Sequence, residues 1–529
     1  MTYSAKLAKI MVHNHIEVDK MQNVIVGQRP LTLEIVGAVA SLKTQLSLSA
    51  SAMSRLVSGR RVVERIIKEN RTVYGITTGF GKFAEVRISL DEIDRLQENL
   101  IKSHATGVGL LFQPRQVKAI MLLQANQLCR GASGVRPVVV RQLLGLLNND
   151  IIPLVPQQGS VGASGDLSPL AHIGLVMIGR GRAFYKGKIV NGAEALKKAG
   201  MKPLILKAKE GLAITNGTEV MTAIGILNLL EAEKLCKISD IAGAMSLEAL
   251  RGTDKAFDPR IHALRPHRGQ MDSAENLRRL LAGSEIRRSH QDCQKVQDSY
   301  SLRCMPQVHG ATKTALKHIR QVLETELNSV TDNPLVFVKE QEVLSGGNFH
   351  GQPVALAMDY LGIAAAELAD ISERRLARLL DSSLSGLPGF LTEHGGLNSG
   401  LMIIQNTAAS LVSENKVLAH PSSVDSIPTS ANQEDHVSMG TIGARKAGQI
   451  CDNVRYVLAC ELLAAAQGLE FLKPLTPGKG VGAAYDAIRL SVKSFKHDRE
   501  FHPDIEAIND MILGGSILDM VEKAIGSMK

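Results

Sequence analysis

From residue 353 to 380 the chain repeats apolar residues at helical spacing. Val354, Ala357, Leu361, Ala364, Leu368 and Ile371 fall on one face of a single long helix. Similar patterns cover about 218–237, 239–251, 304–328, 399–418 and 436–468. The last exceeds an ordinary globular helix and has the length of a bundle helix. Such helices must bury their stripes against one another, so residues 219–529 are expected to form a helical-bundle domain. Pro474–Gly482 is its loop before a C-terminal helical segment. Residues 1–218 have a different texture. A strand and turn span Asn23 to Pro30, and a helix begins near Thr32 with Leu33, Val36, Val39 and Leu42 at helical spacing. A glycine-rich loop covers 71–88. Asp91 is expected to cap a helix that Ala105-Thr106-Gly107-Val108-Gly109 ends, and another helix covers 115–129. A hairpin over Ala183–Val190 turns at Lys186-Gly187. The expected fold class is mainly α, a mixed N-terminal domain followed by a long central helical bundle.

Hydrophobic residues make up 44% and charged residues 21% of the 529, the balance of an ordinary globular protein with enough chain for a large core. Aromatics are only 3% and Trp is absent, so the core must be aliphatic and each tyrosine carries information. The net charge of +9 comes from scattered Lys and Arg with no basic run, so no nucleic-acid partner is expected. Six dispersed cysteines (Cys129, Cys236, Cys293, Cys304, Cys451, Cys460) contain no Cys-x-x-Cys pair and fit no disulfide scaffold. The N-terminus lacks the apolar core of a signal peptide, and no uninterrupted apolar run of about 18 residues occurs. A cytoplasmic protein with no membrane partner is expected.

One stretch offers unusual chemistry: Gly159-Ser160-Val161-Gly162-Ala163-Ser164-Gly165-Asp166-Leu167-Ser168-Pro169-Leu170. A backbone can cyclise when an amide nitrogen reaches the carbonyl carbon two residues back, and glycine is the best donor because no Cβ blocks the approach. The Gly165 nitrogen would bond to the Ala163 carbonyl carbon, closing an imidazolone ring with loss of water. If Ser164 also loses its hydroxyl as water, its Cβ becomes an exocyclic methylidene, an electrophile that no ordinary side chain provides. The plain alternative is a Gly/Ser turn between two elements.

Other groups need partners before they mean more than structure. Tyr74 lies in Tyr-Gly-Ile-Thr-Thr-Gly-Phe-Gly, and taken alone it is a packing residue. His104 ends a helix, where a histidine is usually a cap or a surface residue. Gln297, Tyr300 and Arg303 are three apart and face one way if helical, so the Arg fork would suit a carboxylate. The alternative is a polar surface ridge. Asn216 lies in Thr-Asn-Gly-Thr and Phe349 in the Gly-flanked Gly346–Gly351. Glu434 is expected to open the longest helix, where the helix dipole favours a carboxylate and capping is the simple explanation. Glu434-Asp435-His436 and His290-x-x-Cys293 lack the spacing of a known zinc site, so no metal is expected. No phosphate-binding glycine motif is present, so no nucleotide cofactor is expected.

Together these motifs resemble the aromatic amino-acid lyase family, in its histidine ammonia-lyase branch, over roughly residues 30 to 500. The resemblance rests on Gly159 to Leu167, with the motifs around Tyr74, His104, Asn216, Gln297–Arg303, Phe349 and Glu434 in matching order. It implies an aromatic amino-acid lyase or fumarase-like fold and a homotetramer whose active sites combine residues of three subunits. It also implies a 4-methylideneimidazole-5-one (MIO) group formed from Ala163, Ser164 and Gly165, with no external cofactor. The implied activity is that of a carbon–nitrogen lyase, converting L-histidine to trans-urocanate and ammonia at the first step of histidine degradation. Tyr74 is implied as the catalytic base, with Tyr300 and Glu434 as rivals. Arg303 would hold the carboxylate, His104 and Glu434 would address the imidazole, and Asn216, Gln297 and Phe349 would line the site. The alternative is an ammonia-lyase or 2,3-aminomutase acting on phenylalanine or tyrosine. An acid at 434 favours histidine, because burying a carboxylate against a phenyl ring is costly. Thr77 and Thr215 are small departures from the family pattern.

Overall fold

A computed structural model describes residues 23–163, 165–292 and 296–529 of the chain, and among them helices dominate. The chain divides into two units, each assembled from separate stretches.

The first unit takes Met1–Leu230, Arg320–Asp359 and Pro421–Arg445. It opens with a parallel pair, β1 (Asn23–Val26) and β2 (Gln45–Leu48), in register from Asn23↔Gln45 to Val26↔Leu48. The crossover is α1 (Leu33–Ser41), where the Thr32 hydroxyl accepts the Ile35 N–H at 3.3 Å and so satisfies a donor left open at a helix start. Leu33, Val36 and Val39 are buried, as the spacing requires. A 19-residue helix, α2 (Ala50–Lys68), follows behind a Ser49 cap. No helical stripe stands out over these residues in the sequence. The helix's seven buried residues are interleaved with arginines and serines, which blurs the stripe.

Next come α3 (Ile93–His104), β3 (Val108–Leu111) and α4 (Pro114–Leu128). Asp91 does not cap α3; Glu92 stands at that position, and its carboxylate accepts the Ser89 hydroxyl at 2.8 Å. In α4 every residue from Ala119 to Leu128 is buried, which makes it the central helix of the unit. A leucine side chain buried there contributes about 1.5–3 kcal/mol relative to an exposed one. After α5 (Pro137–Asn148), strands β4 (Ile152–Pro153) and β5 (Pro156–Gln158) lead to the candidate loop; β5 pairs antiparallel with β3. Helix α6 (Leu167–Met177) follows, then the expected hairpin of β6 (Arg182–Tyr185) and β7 (Lys188–Asn191). Lys186 and Gly187 both have positive φ, as a two-residue hairpin turn that matches strand twist demands. Two helices then close on the site: the short α7 (Glu210–Thr215) and the start of α8 (Glu219–Ala249).

The second unit takes Glu231–Ile319, Tyr360–His420 and Lys446–Lys529. The expected helices at 218–237 and 239–251 are one continuous 31-residue helix, α8. Ser239 does not break it because its hydroxyl donates to the Leu235 carbonyl at 2.8 Å, a bond made inside the helix. Further long helices are α9 (Met305–Leu327), α10 (Gln352–Leu380), α11 (Met402–Leu418) and α12 (Gly440–Glu470). All six stripe residues of α10 are buried. Inside the second unit the fully buried Arg375 and Glu461 pair through two bonds of 2.6 and 2.8 Å. The Ser246 and Ser372 hydroxyls each donate to the same carboxylate at 2.6 Å. Among the described residues no helix is long and apolar enough to cross a membrane.

Candidate active site

The loop around Gly165 and Asp166 lies in the first unit, with both residues buried. Gly165 has φ +72°, and a Cβ there would lie 1.9 Å from the Gly217 carbonyl oxygen. The neighbour is backbone and cannot swing away, so only glycine fits. The contact is a parallel bridge between Gly165 and Gly217, extended by the Asp166 N–H donating to the Gly217 carbonyl at 2.7 Å.

Asp166 anchors the loop. Its carboxylate is fully buried and accepts four donors: the Ser160 hydroxyl at 2.8 Å, the Thr441 hydroxyl, and the backbone N–H groups of Val220 and Met221 at 3.0 and 2.9 Å. The last two are open donors of the first turn of α8, so Asp166 caps a helix 54 residues away in sequence. Burial pushes its carboxyl up, against the pull of these donors. Sequence reasoning gave neither Asp166 nor Thr441 a role. The only signal was the position of Asp166 just before an apolar segment, and nothing local marks its reach to α8.

Three other segments close on the loop. The Met439 N–H donates to the Val161 carbonyl at 2.9 Å, while the Ser438 hydroxyl and the Gly351 N–H reach the Gly162 carbonyl at 3.0 and 3.2 Å. Ala163 is buried in an apolar cluster with Val437 and Met439. Phe349 is half-buried just before Gly351. Asn216 ends α7 next to Gly217, is buried, and its Oδ1 has no hydrogen-bond partner among the described residues. Ser164 itself lies outside the described residues, as does Cys293.

Tyr74, His104 and Glu434 form a second group in the same unit. The Tyr74 hydroxyl accepts the Gly81 N–H at 3.3 Å. Burial pushes its phenol up, and the charges of Glu434 and Asp332 push the same way. Thr77 and Thr78 hold this loop: the Thr77 hydroxyl donates to the Arg71 carbonyl at 2.7 Å and accepts the Val73 N–H at 2.9 Å, and Thr78 accepts the Gly75 N–H. Thr215 spends its hydroxyl on the Gly211 and Leu212 carbonyls inside α7. His104, the last residue of α3, is half-buried, and burial lowers its pKa while Glu434 opposes the shift. Glu434 does not open a helix. It closes a turn in which Ser430, Ala431 and Asn432 all have positive φ and Thr429 bridges back to it, and α12 begins only at Gly440. The Thr429 hydroxyl donates to its carboxylate at 2.7 Å.

Gln297, Tyr300 and Arg303 belong to the second unit. Ser299 precedes the short helix Tyr300–Arg303; Tyr300 is 72% exposed and the Arg303 guanidinium stacks 4.6 Å from its ring centre. The Arg303 Nε is buried without a hydrogen-bond partner among the described residues. Tyr300 also lines a cavity of about 620 Å³ together with Arg374, Arg378 and Asp381.

A profile of the aromatic amino acid lyase family matches residues 31–490, and the chain belongs to that family. It is similar to a histidine ammonia-lyase of Alkaliphilus oremlandii, 53% identical over 505 residues that cover 96% of this chain and 99% of the relative. Among solved structures it is similar to histidine ammonia-lyase from Trypanosoma cruzi, with TM-score 0.89, 40% identity and coverage of 95% and 96%. It is also similar to tyrosine aminomutase from Streptomyces globisporus, with TM-score 0.90, 37% identity and coverage of 96% and 100%.

Proposed function

We propose that this chain is a histidine ammonia-lyase that releases ammonia from L-histidine to give trans-urocanate, working as a cytoplasmic homotetramer with sites shared among three subunits. The observation that carries the substrate reading is Glu434, a carboxylate in the same unit as Tyr74 and His104 and close enough for its charge to act on both. A carboxylate there accepts an imidazole N–H, whereas a phenyl ring would take water from it and offer no donor in return.

The residues present fit a MIO group. Gly165 has no side chain to obstruct ring closure, and the buried Asn216 Oδ1, without a hydrogen-bond partner among the described residues, stands beside the loop that would carry the group. That group supplies an electrophile that turns a poor amine leaving group into a competent one. The other tasks fall to side chains. Arg303 binds the substrate carboxylate through two parallel bonds, beside Gln297 and Tyr300. Glu434 accepts the imidazole N–H, and burial keeps His104 neutral so that it can accept a hydrogen bond. Phe349 and Asn216 line the site. Tyr74 takes the β-proton. Burial and the Glu434 charge favour its protonated form, and it becomes a base when the substrate's ammonium group offsets that charge.

The test is urocanate absorbance on adding L-histidine, compared with product from phenylalanine and tyrosine. Histidine turnover is expected to exceed the others. Ser164→Ala is expected to abolish it, and Glu434→Gln to lower kcat/KM for histidine by about 10- to 100-fold, the worth of one lost charge-assisted bond. Cinnamate, coumarate or a β-amino acid as the main product would overturn the substrate assignment.

A further inference from the structure

Glu219 is buried at the start of α8, three residues after Asn216, and the proposed chemistry does not use it. Its carboxyl is pressed against Gly217: a Cβ on Gly217 would lie 2.3 Å from Glu219 Oε2 and 2.6 Å from Oε1. Oε2 has no hydrogen-bond partner among the described residues, and Oε1 accepts the Thr331 hydroxyl at 3.3 Å. That hydroxyl in turn accepts the Thr218 N–H at 3.3 Å. Glu219 is thereby tied to the backbone it abuts. Gly217 is also the residue whose peptide meets Gly165, with its carbonyl oxygen, carbon and nitrogen all within 2.4 Å of where a Gly165 Cβ would stand.

We propose that Glu219 is a positioning residue for backbone cyclisation: its carboxyl fills the space beside Gly217 and holds that peptide against Gly165, which keeps the Gly165 nitrogen within reach of the Ala163 carbonyl carbon. In the step it serves, the Gly165 nitrogen bonds to that carbon. The carbonyl oxygen leaves as water with the N–H hydrogens of Gly165 and Ser164, and a C=N bond closes the ring. A second water takes the Ser164 hydroxyl and its Cα hydrogen. Burial, reinforced by the charges of Asp166 and Asp332, pushes the Glu219 carboxyl up to about 8, so it packs near Asp166 as a neutral acid. Glutamine matches it in shape and lack of charge.

This inference rests on the proposed MIO chemistry, and intact mass separates the two. Wild-type protein is expected to be lighter than its encoded mass by two waters. Glu219→Gln is expected to mature fully. Glu219→Ala is expected to lose water about 10- to 100-fold more slowly, the scale of an ångström's misplacement of reacting atoms. Glu219→Asp, which withdraws the carboxyl by one methylene without emptying the site, is expected to fall between them. Leu229→Ala, a cavity in the same helix away from Gly217, is expected to mature as wild type. Normal maturation of the Ala or Asp variant overturns the proposal, as does a Gln variant as slow as Ala. A Leu229→Ala defect equal to that of Glu219→Ala would reduce Glu219 to general packing and overturn it too. A wild-type chain that keeps both waters overturns this inference together with the MIO reading.

Discussion

Three acids illustrate how differently burial treats one functional group. Asp166 has four donors around its carboxylate, Glu434 sits half-exposed in a turn, and Glu219 is buried with one donor hydroxyl and two acidic neighbours. The Glu219 carboxyl moves from an ordinary 4.5 to about 8. A raised folded-state value means that the group's contribution to stability is fully present below pH 4.5 and is lost as pH rises through about 8. Glu219→Gln never ionises and escapes that loss. Its melting temperature relative to wild type is therefore expected to climb between pH 4.5 and 8 and level off above. Differential scanning fluorimetry across that range checks this, and a flat difference would show that Glu219 stays ionised in the fold. The candidate site residues were legible at this scale, because each sits in a short motif of distinctive composition. Their environments were not, because burial comes from residues far away in sequence.

At the scale of elements, the regular pieces were legible and the junctions were not. The stripe of α10 and the Lys186-Gly187 turn could be read because helix period and turn chemistry are local. The turn before Glu434 could not, since its left-handed residues are Ser430, Ala431 and Asn432, with no glycine among them. The cap on α8 was hidden for a similar reason: the capping carboxylate comes from another loop. The bridge between Gly165 and Gly217 joins two elements through backbone alone, which makes it intolerant of any side chain. Gly165→Ala is expected to fold, because the clash is confined to one loop, yet to retain both waters and show no lyase activity. Intact mass and an activity assay check this, and a matured Gly165→Ala protein would show that the loop can shift away from Gly217.

For the whole molecule, stability depends on charges buried in the second unit as well as on aliphatic packing. Arg375 and Glu461 are both 0% exposed, and two serines complete the carboxylate's bonds. Removing one partner strands the other charge in an apolar interior. Glu461→Ala is expected to cost about 3–5 kcal/mol, read as a lower denaturation midpoint. A loss below about 1 kcal/mol would mean that water reaches the site. The pair was invisible in the sequence, since 86 residues separate its members and each stands in a helix where charges ordinarily face solvent.

By itself the sequence determined the helical class, the family, and the candidate residues for the chemistry. These follow from periodicity and from contiguous motifs, both properties of neighbours along the chain. Only the tertiary structure decided that Asp166 would cap α8, that Gly217 would meet Gly165, and that Glu219 would be packed against both the glycine and its acidic neighbours. Such pairings depend on which distant backbones meet once loops close and water is excluded, and desolvation then sets how each buried carboxyl behaves.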